Sequence, residues 1–281
     1  MTAVIELERS DGSPLVLHHL GGEGRPLLVS HATGFHGRCY LSLTAHLDPG
    51  RAVWALDYRG HGLSPRPATD PVDWSGFADD ALTVANHLAP SGGLDVVGHS
   101  MGGAAVLLAS LREPEAFSRL LAFEPIAPPP VADLDVEQLP IVQSAVRRRP
   151  GFASLETAIE NYAAKRPLGS FTREVLRDYV EHGFEDDGDG GVILRCRPDF
   201  EAAVFRSAHT NELWERLGEV SLASIILAGV IEQHQPSSFA HLIAARLPGA
   251  AFVQTDDFDH FGPFSHPARF AELVDELLPL V

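Results

Sequence analysis

The sequence predicts an α/β protein: a mostly parallel central sheet with helices on both faces, interrupted by an inserted helical segment. Three observations predict it. Short apolar runs alternate with segments whose apolar residues recur at helical spacing, the pattern of strand–helix–strand units. The run Leu94-Asp95-Val96-Val97 stops at Gly98-His99-Ser100-Met101-Gly102-Gly103, and an alanine- and leucine-rich stretch opens at Ala104. That reads as strand, sharp turn and helix. The alternation then breaks off after Glu124-Pro125 and resumes only near Ala223.

In chain order, residues 4–8 alternate polar and apolar like a strand, Asp11-Gly12 marks a turn, and 15–20 reads as a second strand. Residues 26–30 form a short buried strand that runs into His31-Ala32-Thr33-Gly34-Phe35-His36-Gly37, a loop of small residues and histidines. A helix is expected over 40–47, a buried strand over 52–56, and a helix over 74–88, where Phe77, Ala81, Leu82, Val84, Ala85 and Leu88 share one face. The strand before Ser100 and the helix after it follow, then a strand over 120–123. Pro128-Pro129-Pro130 opens the interruption, with helices expected over 154–164, 172–181 and 199–208. The rhythm returns with strands at 223–228 and 251–255 and helices at 237–247 and 267–278. The expected division is a core of residues 1–126 and 219–281 and a helical cap of residues 127–218.

With 281 residues, 45% of them apolar, the chain can bury one large core. Its formal charge of −17 repels phosphate backbones and argues against nucleic-acid binding. Cys39 and Cys196 supply neither a disulfide framework nor a metal-binding spacing, so a reducing, cytoplasmic setting without metal or cofactor is expected. Residues 1–11 carry Glu6, Glu8 and Arg9 and do not read as a secretory leader, and no run is long enough to span a membrane. The expected partner is a small molecule. Association of the chain with itself is left open.

Gly98-His99-Ser100-Met101-Gly102 fits G-x-S-x-G, in which a serine on a strained strand-to-helix turn holds its hydroxyl clear of the sheet. Small neighbours are needed because strand and helix must approach closely. A free hydroxyl is a poor nucleophile at neutral pH and needs a base within hydrogen-bond reach.

With the His31 loop, the stretch Asp57-Tyr58-Arg59-Gly60-His61-Gly62-Leu63-Ser64, the Ser100 turn and the late His260 in this order, the chain resembles the α/β-hydrolase-fold superfamily over nearly its whole length apart from the cap. The resemblance implies a Ser–His–acid triad in which Ser100 attacks a carbonyl and His260, beyond the last strand, is the base. It implies Glu232, in Gly229-Val230-Ile231-Glu232, as the acid, with Glu124 in Phe123-Glu124-Pro125 as the alternative. For the oxyanion it implies the backbone N–H of Met101 and that of Thr33, with Gly34 as the alternative because alanine replaces the usual glycine after His31. The segment around Arg59 is expected to be structural, with Arg59 pairing with Asp57 or capping carbonyls. His18, His19 and His46 are expected at the surface or an edge, and His99 is expected to point away from the site.

A serine nucleophile separates this chain from relatives of the same fold that use aspartate, the epoxide hydrolases and haloalkane dehalogenases. The expected activity is hydrolysis of a carboxylic ester with a small or medium acyl group. Carbon–carbon bond hydrolysis, lactone hydrolysis, acyl transfer and perhydrolysis need the same residues and remain open. So does a non-catalytic ligand-binding role, because fold alone does not establish activity.

Overall fold

Strand residues that point alternately to two covered faces must be apolar on both, and this chain meets that condition in its central strands. Leu28, Val96, Leu120 and Ile226 enter one buried cluster, and their neighbours Leu27, Val29, Val97, Leu121 and Leu227 enter another on the opposite face. The computed structural model describes residues 3–67 and 72–280.

The chain opens with the hairpin β1 (Val4–Glu8) and β2 (Pro14–Gly21), followed by β3 (Arg25–Ser30). A 3₁₀ turn at Gly37–Tyr40 leads into the short helix α1 (Leu41–Thr44), so the helix expected over 40–47 is shorter than its periodicity suggests. β4 (Arg51–Asp57) and α2 (Trp74–Leu88) come next, with the Asp73 carboxylate capping α2 by accepting from the Ser75 N–H at 2.8 Å. β5 (Leu94–His99), buried along its whole length, runs into α3 (Met101–Ser110), all ten of whose residues are buried. A helix that is apolar all round needs cover on all sides. The sheet supplies one side and α2 another. β6 (Phe117–Phe123) ends this half.

The segment between β6 and the next core strand holds α4 (Pro140–Val146), β7 (Gly151–Phe152), α5 (Leu155–Ala163), α6 (Arg173–Gly183), β8 (Phe184–Asp186), β9 (Val192–Leu194), α7 (Pro198–Ser207) and α8 (Leu213–Arg216). Ser154 and Thr172 cap α5 and α6 through their hydroxyl oxygens. The three expected helices are present. The small antiparallel sheet β7-β9-β8 was not expected, because strands of two or three residues are too short to show alternation. Arg148 donates to both oxygens of Glu201 (2.7 and 2.8 Å) and to the Tyr179 hydroxyl, so one half-buried cation joins the chain after α4 to α6 and α7.

β10 (Ala223–Ala228), α9 (Ser237–Arg246), β11 (Ala251–Gln254), α10 (Gly262–Ser265) and α11 (Pro267–Leu277) complete the chain. The eight-stranded sheet has the order β1-β2-β4-β3-β5-β6-β10-β11, parallel from β4 to β11 and antiparallel at the β1 and β2 edge. Among the described residues no helix is long and apolar enough to cross a membrane.

Candidate active site

Ser100 is the single residue between the last residue of β5 and the first of α3, with φ 55° and ψ −117°. A serine at positive φ is strained and persists only when its surroundings over-determine it. Here they do. Its N–H donates to the Phe123 carbonyl at 2.9 Å, and its carbonyl accepts from Ile126 (3.2 Å) and Ala104 (3.3 Å). The glycines are required by contact: a Cβ on Gly102 would stand 2.1 Å from the Ser30 carbonyl oxygen, and one on Gly98 2.6 Å from the Gly103 Cα. The Met101 N–H belongs to the first turn of α3, whose donors have no partner within the helix, and the helix dipole favours negative charge there.

His260 lies in the loop between β11 and α10, and its Nδ1–H donates to Glu124 Oε2 at 2.6 Å. A carboxylate only accepts, so this bond places the proton on Nδ1 and leaves Nε2 of the neutral ring with a lone pair. Glu124 is fully buried, has φ 46°, and its other oxygen accepts from the Gly229 N–H at 2.9 Å. Ser100 and His260 share no direct hydrogen bond, a contact that is often long until substrate is bound.

The structure does not bring Glu232, the favoured candidate for the acid, to His260. Glu232 is exposed on the turn after β10, where its N–H donates to Ser237 Oγ, and it is Glu124 that meets His260. The sheet order explains the difference. β6 lies between β5 and β10, so its end is the one beside Ser100. At the end of β10 the Gly229 N–H is spent on Glu124 itself, and the Val230 N–H donates to the Phe258 carbonyl at 2.8 Å, so the chain has turned outward before Glu232.

Thr33 and Gly34 follow β3, whose last residue ties this loop to α3: Ser30 Oγ donates to the Gly102 carbonyl at 3.0 Å and bonds the Tyr58 hydroxyl at 2.7 Å. Thr33 is buried. Gly34, at φ 78°, backs onto Glu201, whose Oε1 would stand 2.3 Å from a Cβ there. His31 is a strut of this loop. Its Nδ1–H donates to the Ala32 carbonyl (2.8 Å) and its Nε2 accepts from the Tyr58 N–H (2.9 Å). Burial, with the nearby His61 adding to it, pushes His31 down to about 3, and burial takes His61 to about 4.

The segment around Arg59 is structural, by different pairs from those expected. Arg59 grips the buried Asp80 with Nε (3.0 Å), Nη2 (2.7 Å) and its backbone N–H (3.0 Å). Asp57 instead accepts from His18 Nε2 (2.9 Å) and from the N–H groups of Gly37 and Leu63 (both 2.8 Å). Burial alone would raise Asp57, but these donors and the charge of His18 hold it well below the usual carboxylate range. His18 is therefore buried in a polar knot and not at the surface. His46 is exposed and His19 half-buried on β2. His99 points away from the Ser100 hydroxyl, toward Tyr40 and the His260 backbone, a contact with no signal in the sequence.

The sequence pattern of the alpha/beta hydrolase family matches residues 27–273. A pimeloyl-[acyl-carrier protein] methyl ester esterase of Legionella pneumophila (strain Corby) is 22% identical over 258 residues, 92% of this chain and 96% of that one. Strigolactone esterase D14 of Arabidopsis thaliana is 24% identical over 210 residues, 72% of each chain. The crystal structure of E-2-(acetamidomethylene)succinate hydrolase superposes over 100% of both chains with a TM-score of 0.80 at 19% identity. Fold, sequence and relatives agree: the chain belongs to the alpha/beta hydrolase family and is an enzyme of the serine hydrolase type.

Proposed function

We propose that the chain hydrolyses carboxylic esters with small or medium acyl groups through an acyl-enzyme on Ser100, with His260 as base and Glu124 as the acid. The observation that carries this reading is the buried His260–Glu124 bond behind a serine held at positive φ on a strand-to-helix turn. Ser100 Oγ attacks the carbonyl carbon while its proton passes to His260 Nε2. Glu124 stabilises the imidazolium so formed, and the N–H groups of Met101 and Thr33 receive the oxyanion. As the intermediate collapses, the bond to the leaving alcohol breaks and His260 gives that alcohol its proton. Water, deprotonated by the same ring, then releases the acid.

In the same reading residues 127–218 are a cap over the site. The Phe171 ring of this segment packs at a tilt against those of Phe35, Phe261 and Phe264, with centroids 6.0, 5.7 and 5.1 Å away, residues next to the oxyanion loop and the base. Two relatives whose names describe esterases support an ester substrate. Cys39 and Cys196, both buried free thiols, fit a reducing compartment. The reading is tested by assaying p-nitrophenyl esters of graded chain length beside lactones and a carbon–carbon hydrolase substrate. Turnover of short or medium esters that is lost in Ser100→Ala is expected. A folded protein that turns over none of these would replace the enzyme reading with a ligand-binding one.

A further inference from the structure

We propose that His99 and Tyr40 form a buried positioning pair that fixes the base loop and the oxyanion loop to the strand carrying the nucleophile. The inference rests on the functional reading above and assigns no bond-making role to either residue. His99 immediately precedes Ser100, so its backbone and that of the nucleophile move together. Its Nε2–H donates to the backbone carbonyl of His260 at 2.9 Å. A carbonyl only accepts, so the proton of His99 is on Nε2 and its Nδ1 is an acceptor. That acceptor takes the Tyr40 hydroxyl proton at 2.9 Å. The Tyr40 oxygen is then free to accept, and the Ala32 N–H, one residue before Thr33, points at it from 3.4 Å. One directional chain therefore runs from the oxyanion loop through Tyr40 and His99 to the backbone of the base.

Every group in this chain has its proton assigned, and the chain works only with a neutral His99. Both side chains are buried. His99 faces the rings of Phe123 (5.3 Å), Phe264 (5.5 Å), Tyr40 (6.2 Å) and His260 (4.9 Å), and the nearby Glu124 carboxylate bonds His260 and Gly229, not His99. Burial, and then the neighbouring His260, hold it well below the ordinary histidine range. Apolar residues in these two places would leave the His260 carbonyl and the Ala32 N–H buried without partners, an arrangement that is costly and that frees both loops to shift. Displacements of about 1 Å at a catalytic group can cost roughly 100-fold in rate.

The test combines variants with ring-nitrogen NMR. In His99→Phe, kcat should fall roughly 30- to 100-fold with KM changed less than about threefold, because the substrate-binding surface is untouched while the base is displaced. In His99→Gln, whose amide N–H can still reach the His260 carbonyl, most of that loss should be recovered. Tyr40→Phe, nearly isosteric, should cost about 5- to 10-fold in kcat and shift the His99 Nδ1 resonance, whether or not His99→Phe folds. In the unmodified protein the His99 ring should remain a neutral Nε2–H tautomer from about pH 5.5 to about pH 8. A His99 that takes up a proton in that range, or folded Tyr40→Phe and His99→Phe variants within about twofold of the parent kcat, would overturn the proposal. Failure of the ester reading looks different: the unmodified protein itself would show no turnover, while the His99 tautomer would be unchanged.

Discussion

Glu124 and Glu232 carry the same functional group in different surroundings. Glu124 is buried with an N–H donor on each oxygen, whereas Glu232 stands in solvent. A carboxylate orients an imidazole only if it is itself immobile. Glu124→Gln keeps the shape but removes the charge and lets the ring adopt the wrong tautomer, so kcat should fall by about 10³- to 10⁴-fold, while Glu232→Gln should stay within about twofold of the parent. Steady-state kinetics on one ester decide between them, and the reverse pattern would return the acid to Glu232. Phe123-Glu124-Pro125 was legible as a strand-end carboxylate. The sequence does not state which strand neighbours β5, and that adjacency determines which glutamate reaches His260. Arg59 gives a second residue-level outcome. Arg59→Met removes the cation that pairs with the buried Asp80 carboxylate and should lower stability by about 3–5 kcal/mol in urea unfolding, with KM unchanged. A raised KM at unchanged stability would mean that Arg59 touches substrate.

At the scale of elements, the Ser100 turn was the most legible part of the chain because its requirement is local: a strand, a serine and glycines where backbones meet. Gly102→Ala would push a methyl group into the Ser30 backbone and should destabilise the fold by more than about 2 kcal/mol, whereas Gly218→Ala, with open space around it, should stay within about 0.5 kcal/mol. Denaturant midpoints of the two variants give the comparison, and equal midpoints would contradict the close approach of β3 and α3. The segment 127–218 was less legible. Its amphipathic helices announced themselves, but the β7-β9-β8 sheet did not, and the pairing of Arg148 depends on partners on two other helices, Tyr179 and Glu201, far along the chain. Phe171→Ala should shift the preferred ester chain length, with the rate of Ser100 phosphonylation by a small probe changed less than about threefold. An unchanged ester profile would remove Phe171 from the substrate surface.

At the scale of the molecule, the buried histidines His31, His36, His61 and His99, all held below the ordinary range by burial, couple the fold to pH. His31 and His61 are held near 3 and 4 by burial, against about 6.5 in an unfolded chain. Between those values the unfolded chain binds protons that the folded one does not, so stability rises with pH in that window. It should fall from about pH 6.5 toward about pH 4 with a slope of up to about 1.4 kcal/mol per pH unit for each histidine. Asp57 adds its own loss only below its unfolded value of about 4, because its folded value is depressed. Urea unfolding as a function of pH measures the slope, and a flat profile from pH 4 to pH 6.5 would mean that these rings are charged in the fold. The alternation of strands and helices was readable from composition and spacing, since each element needs only its own residues. The order of strands in the sheet was not, since it depends on which apolar faces meet. The most direct test of the catalytic account is peptide mapping by mass spectrometry after exposure to a fluorophosphonate. The account predicts one stoichiometric adduct on Ser100, formed at least about 100-fold more slowly in Glu124→Gln. A folded protein that remains unlabelled, or is labelled at a residue other than Ser100, would contradict it.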